Sequence, residues 1–177
     1  MGRKNNKEDV KRFELLFVPH LNAAHNLACW LVRDRVGAQD ILQDSCLRAF
    51  ASLHQFTGGN ARAWLLTIVR NQSYSWLKKS TGKNYLDIDD QTADISNEFI
   101  VSSDTPESLL EKVQNSQLLQ RALDLLPILY REVIVLKELE AMSYKEIALV
   151  TGVPIGTVMS RLARGRELLK RELSGHE

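Results

Sequence analysis

The sequence predicts an all-α protein: two small helical domains joined by an acidic flexible linker, the second ending in a helix-turn-helix. Three observations carry that expectation. Apolar residues recur three and four positions apart along most of the 177-residue chain, with little of the alternation that marks strands. The net charge of +1 conceals a division, because residues 1–80 carry 12 Lys/Arg against 6 Asp/Glu while residues 81–116 carry 2 against 8. Near the C-terminus, "MSYKEIALVTGVPIGTVMSRLARGRELLK" breaks one short helix at a glycine and starts a cationic one directly after.

In the first domain, residues 1–80, Phe13, Leu16, Phe17, Leu21, Ala24, Leu27, Ala28 and Leu31 form a helical stripe, interrupted where Pro19 removes a backbone donor. A second helix is expected over 38–53, burying Ile41, Leu42, Cys46 and Phe50. "FTGGN" breaks it, and a third helix follows over 61–79. Residues 81–104 are polar, acidic and aperiodic, the composition of a linker. The second domain, 105–177, opens with Thr105 as a cap and Pro106 at the first helical position. Its first helix ends at Pro127, and another is expected over 128–140.

The C-terminal unit carries the most local information. "SYKE" matches a capping box, so a helix starts at Tyr144. Gly152 can take the left-handed conformation that ends a helix, and Pro154 suits the opening of the next. On that second helix Val158, Leu162, Gly165 and Leu169 share a narrow arc, while Thr157, Ser160, Arg161 and Arg164 gather on a different side. A helix-turn-helix places such a cationic face in the major groove, where Arg and Ser/Thr reach bases and phosphates.

Two further surfaces are candidates. On the 61–79 helix, Trp64, Leu65, Ile68, Val69 and Trp76 form one arc and Thr67, Arg70, Asn71, Tyr74 and Lys78 another. That second strip suits a nucleic-acid backbone, or equally a solvated helix face. The preceding "HQFTGGN" could hold an unstacked base between Phe56 and Asn60, or be a plain turn. The polar side of the 38–53 helix, Asp40, Gln43, Asp44 and Arg48, reads as solvated surface or as a docking face for a partner helix.

Other classes fit less well. His25 and Cys29 share a helical face, but His20 and His25 lie roughly 140° apart, and no CxxC or HExxH occurs, so no metal site is expected. No catalytic residues and no cofactor are expected either. Two cysteines make no disulfide framework, the charged N-terminus lacks an apolar signal core, and uncharged apolar runs fall short of the roughly 20 residues of a span. A cytoplasmic protein without membrane insertion is the expectation. A DNA-binding regulator that recognises an operator, often as a dimer, would use the helix-turn-helix but leave the first domain unexplained.

The chain resembles the extracytoplasmic-function (ECF) sigma factors, over residues 13–79 and 106–173. "AQDILQDSCLRAF" resembles the family segment that binds the clamp helices of RNA polymerase, which implies that role for Asp40, Gln43, Asp44 and Arg48. "ARAWLLTIVRNQSYSWLKK" is similar to the helix that contacts and opens the minus-ten promoter element, implying contacts by Phe56, Asn60, Arg70, Asn71, Tyr74 and Lys78. "LPILYREVIVLKELEAMSYKEIALVTGVPIGTVMSRLARGRELLKREL" is similar to the domain that reads the minus-thirty-five element, implying contacts by Thr157, Ser160, Arg161 and Arg164. Met159 stands where a Lys is common, and Gly165 where Ala is usual. Core RNA polymerase, promoter DNA and an inhibitory anti-sigma factor are the partners that the resemblance implies.

Overall fold

The computed structural model describes residues 6–85 and 116–174, and among these all regular structure is helical. Most of the linker, together with Thr105 and Pro106, lies outside the described residues. Helix α1 (Asn6–Phe17) passes through a short 3-10 turn (Val18–His20) into α2 (Leu21–Val32), with Pro19 at the break. By length and composition Lys7–Val32 could cross a membrane, at 26 residues and hydropathy 1.2. Pro19 interrupts that run, however, and Ala24, Leu27, Ala28 and Leu31 of α2 are core residues.

Helix α3 (Arg35–Ala51) begins three residues before the expected start, because the Asp34 carboxylate accepts hydrogen bonds from the Val36 and Gly37 amides. The turn before it is made by Arg33 at φ 58°, a left-handed residue that the sequence does not mark with glycine. Helix α4 (Ala61–Thr81) is capped by Asn60, whose side chain accepts from the Ala63 amide, and ends at Gly82 with φ 70°.

The second lobe contains α5 (Ser116–Leu125), α6 (Ile128–Ile134), a π-helical turn (Val135–Leu139), α7 (Tyr144–Thr151) and α8 (Ile155–Ser174). The helix expected over 128–140 is thus regular α only to Ile134 and closes with the wider π turn, in which the Glu140 amide donates to the Val135 carbonyl at 3.1 Å. Just beyond it, the Met142 amide donates to the Leu136 carbonyl at 3.0 Å and the Met142 side chain is fully buried in the core.

Helices α1, α2 and α3 pack around α4, whose other side meets α7, while α6 touches both α2 and α8. Phe13, Phe17, Phe50, Phe56 and Trp64 form an aromatic cluster within the first lobe, with neighbouring centroids 5.2 to 5.7 Å apart. Buried apolar residues of both lobes make one connected core. Polar contacts ring the junction: Arg33 pairs with Asp124, Arg62 donates to the Glu140 carbonyl, Asn60 to the Glu146 carboxylate, and Arg131 to the Leu31 carbonyl.

Candidate nucleic-acid interface

The helix-turn-helix is built as its sequence predicts. Ser143 accepts from the Glu146 amide while the Glu146 carboxylate accepts from the Ser143 amide at 2.7 Å, a complete capping box. Gly152, at φ 70°, ends α7, and the chain turns through 99° into α8. Val158, Leu162, Gly165 and Leu169 are all buried, as their shared arc requires. Gly165 lets α8 cross α6 closely: a Cβ there would lie 3.1 Å from Ile134 Cγ1 and 3.3 Å from Tyr130 Cβ.

The four cationic or hydroxyl positions expected on the other face separate into two groups. Thr157, Ser160 and Arg164 are half-buried at the edge of the open arc, with the Ser160 hydroxyl donating to the Thr157 carbonyl and Arg164 to the Glu167 carboxylate at 2.7 Å. Arg161 is only 8% exposed, its Nη1 lying 3.8 Å from Glu132 Oε1. The open arc itself runs through Gly156, Met159, Ala163 and Glu167. Of these, Ala163 escaped the sequence reading, which sought polar groups, although its place between Met159 and Glu167 on the side away from Val158 and Leu162 marks it as exposed.

Helix α4 is buried more widely than an amphipathic pattern suggests. Asn71 and Lys78 are exposed and Thr67 is half-buried, but Arg70 and Tyr74, on the same predicted strip, are buried beneath the second lobe. Arg70 donates twice to Glu132, from Nε to Oε2 at 2.7 Å and from Nη2 to Oε1 at 3.0 Å, and its guanidinium lies 4.5 Å above the Tyr74 ring. Burial opposes the Arg70 charge, but the Glu132 hydrogen bonds and negative charge more than offset it and hold the guanidinium above its ordinary value. Burial, then the Glu132 charge, push the Tyr74 hydroxyl up strongly.

Phe56 belongs to the aromatic cluster and is buried, while Arg12 donates to its carbonyl at 2.6 Å. Asn60 is exposed but engaged twice, capping α4 and donating to Glu146 at 2.7 Å. The loop tip between them, Gly58 and Gly59, is exposed at φ 117° and 96°. On α3, Asp40, Gln43, Asp44 and Arg48 are all exposed, flanked by Val36 and Leu47 at 69% each. His25 and Cys29 touch, with Sγ 3.6 Å from Nε2, and burial raises the Cys29 thiol. Among the described residues, no three His, Cys, Asp or Glu side chains group as metal ligands.

Two family models match this chain: sigma-70 region 2 over residues 16–82 and sigma-70 region 4 over residues 116–169. The ECF RNA polymerase sigma-E factor of Escherichia coli (strain K12) is 31% identical over 180 residues, covering 94% of this chain and 89% of its own. The chain belongs to the ECF RNA polymerase sigma factors. The ECF RNA polymerase sigma factor SigE of Mycolicibacterium smegmatis is 30% identical, and this sigma factor spans 89% of itself but 60% of that relative. The fold is similar to the sigma factor RpoE solved in complex with the anti-sigma factor NepR from Bartonella quintana, at TM-score 0.70 and 30% identity, covering 93% of this chain and 98% of that one. The exposed α3 face and α4 edge of this sigma factor fall within its region 2 match, and the helix-turn-helix within its region 4 match.

Proposed function

We propose that this sigma factor docks on core RNA polymerase through α3 and directs it to promoters by contacting DNA with both lobes. The observation that carries the reading is the helix-turn-helix, complete with capping box, glycine corner and an α8 arc open to solvent. Along that arc Met159, Ser160, Ala163 and Arg164, with Thr157, are positioned to enter the major groove of the minus-thirty-five element. Asn71 and Lys78 on the open edge of α4, with the glycine tip beside Asn60, suit the minus-ten element. The exposed Asp40, Gln43, Asp44 and Arg48, set beside two exposed aliphatics, suit a protein partner, core polymerase.

The chemistry of transcription belongs to polymerase, and this chain acts as a specificity subunit rather than a catalyst, working in the cytoplasm. An anti-sigma factor, of the kind seated on the RpoE relative, would hold it inactive. Run-off transcription with core polymerase on a promoter library tests the reading. Initiation from a subset of sequences is expected, and silence across the whole library would sink it.

A further inference from the structure

The N-terminal half of the open α8 arc carries no polar side chain along its middle. At 3.6 residues per turn, Gly156, Met159 and Ala163 fall within roughly 60° of one another, and all three are exposed, Met159 by 43%. The cations of the same helix half lie elsewhere. Arg161 is 8% exposed and turned to Glu132, while Arg164, at the edge of the arc, donates to Glu167 at 2.7 Å.

These residue types set what the arc can recognise. Ala163 has nothing beyond its Cβ, and at Gly156 even a Cβ would meet nothing within 4 Å, so a base edge can come close to the helix there. Met159 lies between them, about one turn from each, and its unbranched thioether adapts to the surface that it meets. An apolar side chain pressed on a base edge strips water from donors and acceptors without replacing their hydrogen bonds, which costs binding. In the major groove thymine alone of the four bases offers an apolar group, its C5-methyl.

We propose that Met159 and Ala163 are specificity-determining residues that recognise thymine C5-methyl groups in the upstream promoter element. This rests on the promoter function proposed above and adds to it the chemistry of the bases read. The two residues stand four positions apart, about 6 Å along the helix at about 1.5 Å per residue. That span matches about two steps of B-DNA at about 3.4 Å each, so the thymines lie within about two steps of each other. Ser160 and Arg164, along one edge of the arc, are left for the flanking phosphates, which position the helix without selecting sequence.

The test uses the full chain assembled with core polymerase, on synthetic templates free of 5-methylcytosine, so that thymine is the source of every methyl. A library randomised across the minus-thirty-five element is transcribed, and the templates that initiate are sequenced. Two thymines at the stated spacing are expected among the fixed positions. Each is then replaced by deoxyuridine, which lacks only the methyl, and template affinity should fall about fourfold per position. Met159→Ala should remove most of the penalty at one of the two positions, and Met159→Leu, apolar and of similar volume, should keep it. Met159→Lys should move the preference there from thymine to guanine, whose O6 and N7 accept from lysine.

Initiation from templates with no fixed thymine, or deoxyuridine substitution without effect, overturns the methyl reading and leaves the promoter function standing. A deoxyuridine penalty equal in wild type and in a Met159→Ala chain of unchanged helix content does the same. If Met159→Ala loses helix content, Met159→Lys decides instead, and thymine retained at both positions overturns the proposal. Silence of the wild-type holoenzyme on every template sinks the promoter function itself, and the methyl reading with it.

Discussion

Gly165→Ala tests how closely α8 must approach α6 for Arg161 to reach Glu132. On helix propensity alone, replacing an interior glycine by alanine stabilises by about 1 kcal/mol. The structure opposes that gain, because the new Cβ would meet Ile134 Cγ1 at 3.1 Å and Tyr130 Cβ at 3.3 Å. Tyr130 Cβ is fixed by its own backbone, so turning the Ile134 side chain relieves only one of the two contacts and the rest of the relief requires α8 and α6 to move apart. Overpacking of this kind costs about 1–3 kcal/mol. The expected net effect is a loss of about 0–2 kcal/mol. Gly156→Ala is the control, since a Cβ there meets nothing within 4 Å. It should be neutral or stabilising, by up to about 1 kcal/mol. Urea unfolding followed by far-ultraviolet circular dichroism measures both. All three tryptophans, Trp30, Trp64 and Trp76, are in the first lobe, so their fluorescence shows whether that lobe is affected. Gly165→Ala stabilising as much as Gly156→Ala would refute the close-crossing argument.

Three further outcomes are expected. Asp44→Ala should weaken core-polymerase affinity about three- to tenfold with an unchanged circular dichroism spectrum, since this carboxylate is exposed and rim charges tune association rather than folding; unchanged affinity in a titration would remove Asp44 from the docking face. Ala141, held at φ 51°, should gain about 0.5–1 kcal/mol in urea midpoint stability on replacement by glycine, and a loss would show that its left-handed conformation is not strained. The Glu146 carboxylate is held below its ordinary value of about 4.5, first by the Ser143 amide and then by Asn60, Ser143 and Arg62. Its contribution is therefore fully present above that value and lost as pH falls through the lower folded one; Glu146→Gln should flatten this part of the acid decline in urea midpoint, and an unaltered decline would assign it to other groups.

Most helices were legible because their signals are local. The capping box, the Gly152 corner and the buried arc through Val158, Leu162 and Leu169 follow from residues a few positions apart. The early start of α3 was also written locally, in Asp34, but its cap is a single residue beside a turn made by a left-handed arginine rather than a glycine. The π turn after Ile134 has no local mark at all. Among the candidate contacts, the exposed α3 residues lie where helical spacing puts them, while Phe56 and Asn60 serve the aromatic cluster and the inter-lobe rim.

By itself the sequence determined most of the helices, the Ser143 capping box and Gly152 corner, and the membership in a sigma family. Only the tertiary structure decided which polar faces stay open. Arg70 meets its carboxylate 62 residues away, and Arg161 turns to that same group. An arginine on a helix has the same spacing whether it faces water, a phosphate or a buried glutamate. Which of these it meets depends on long-range packing, and helical periodicity carries no record of that.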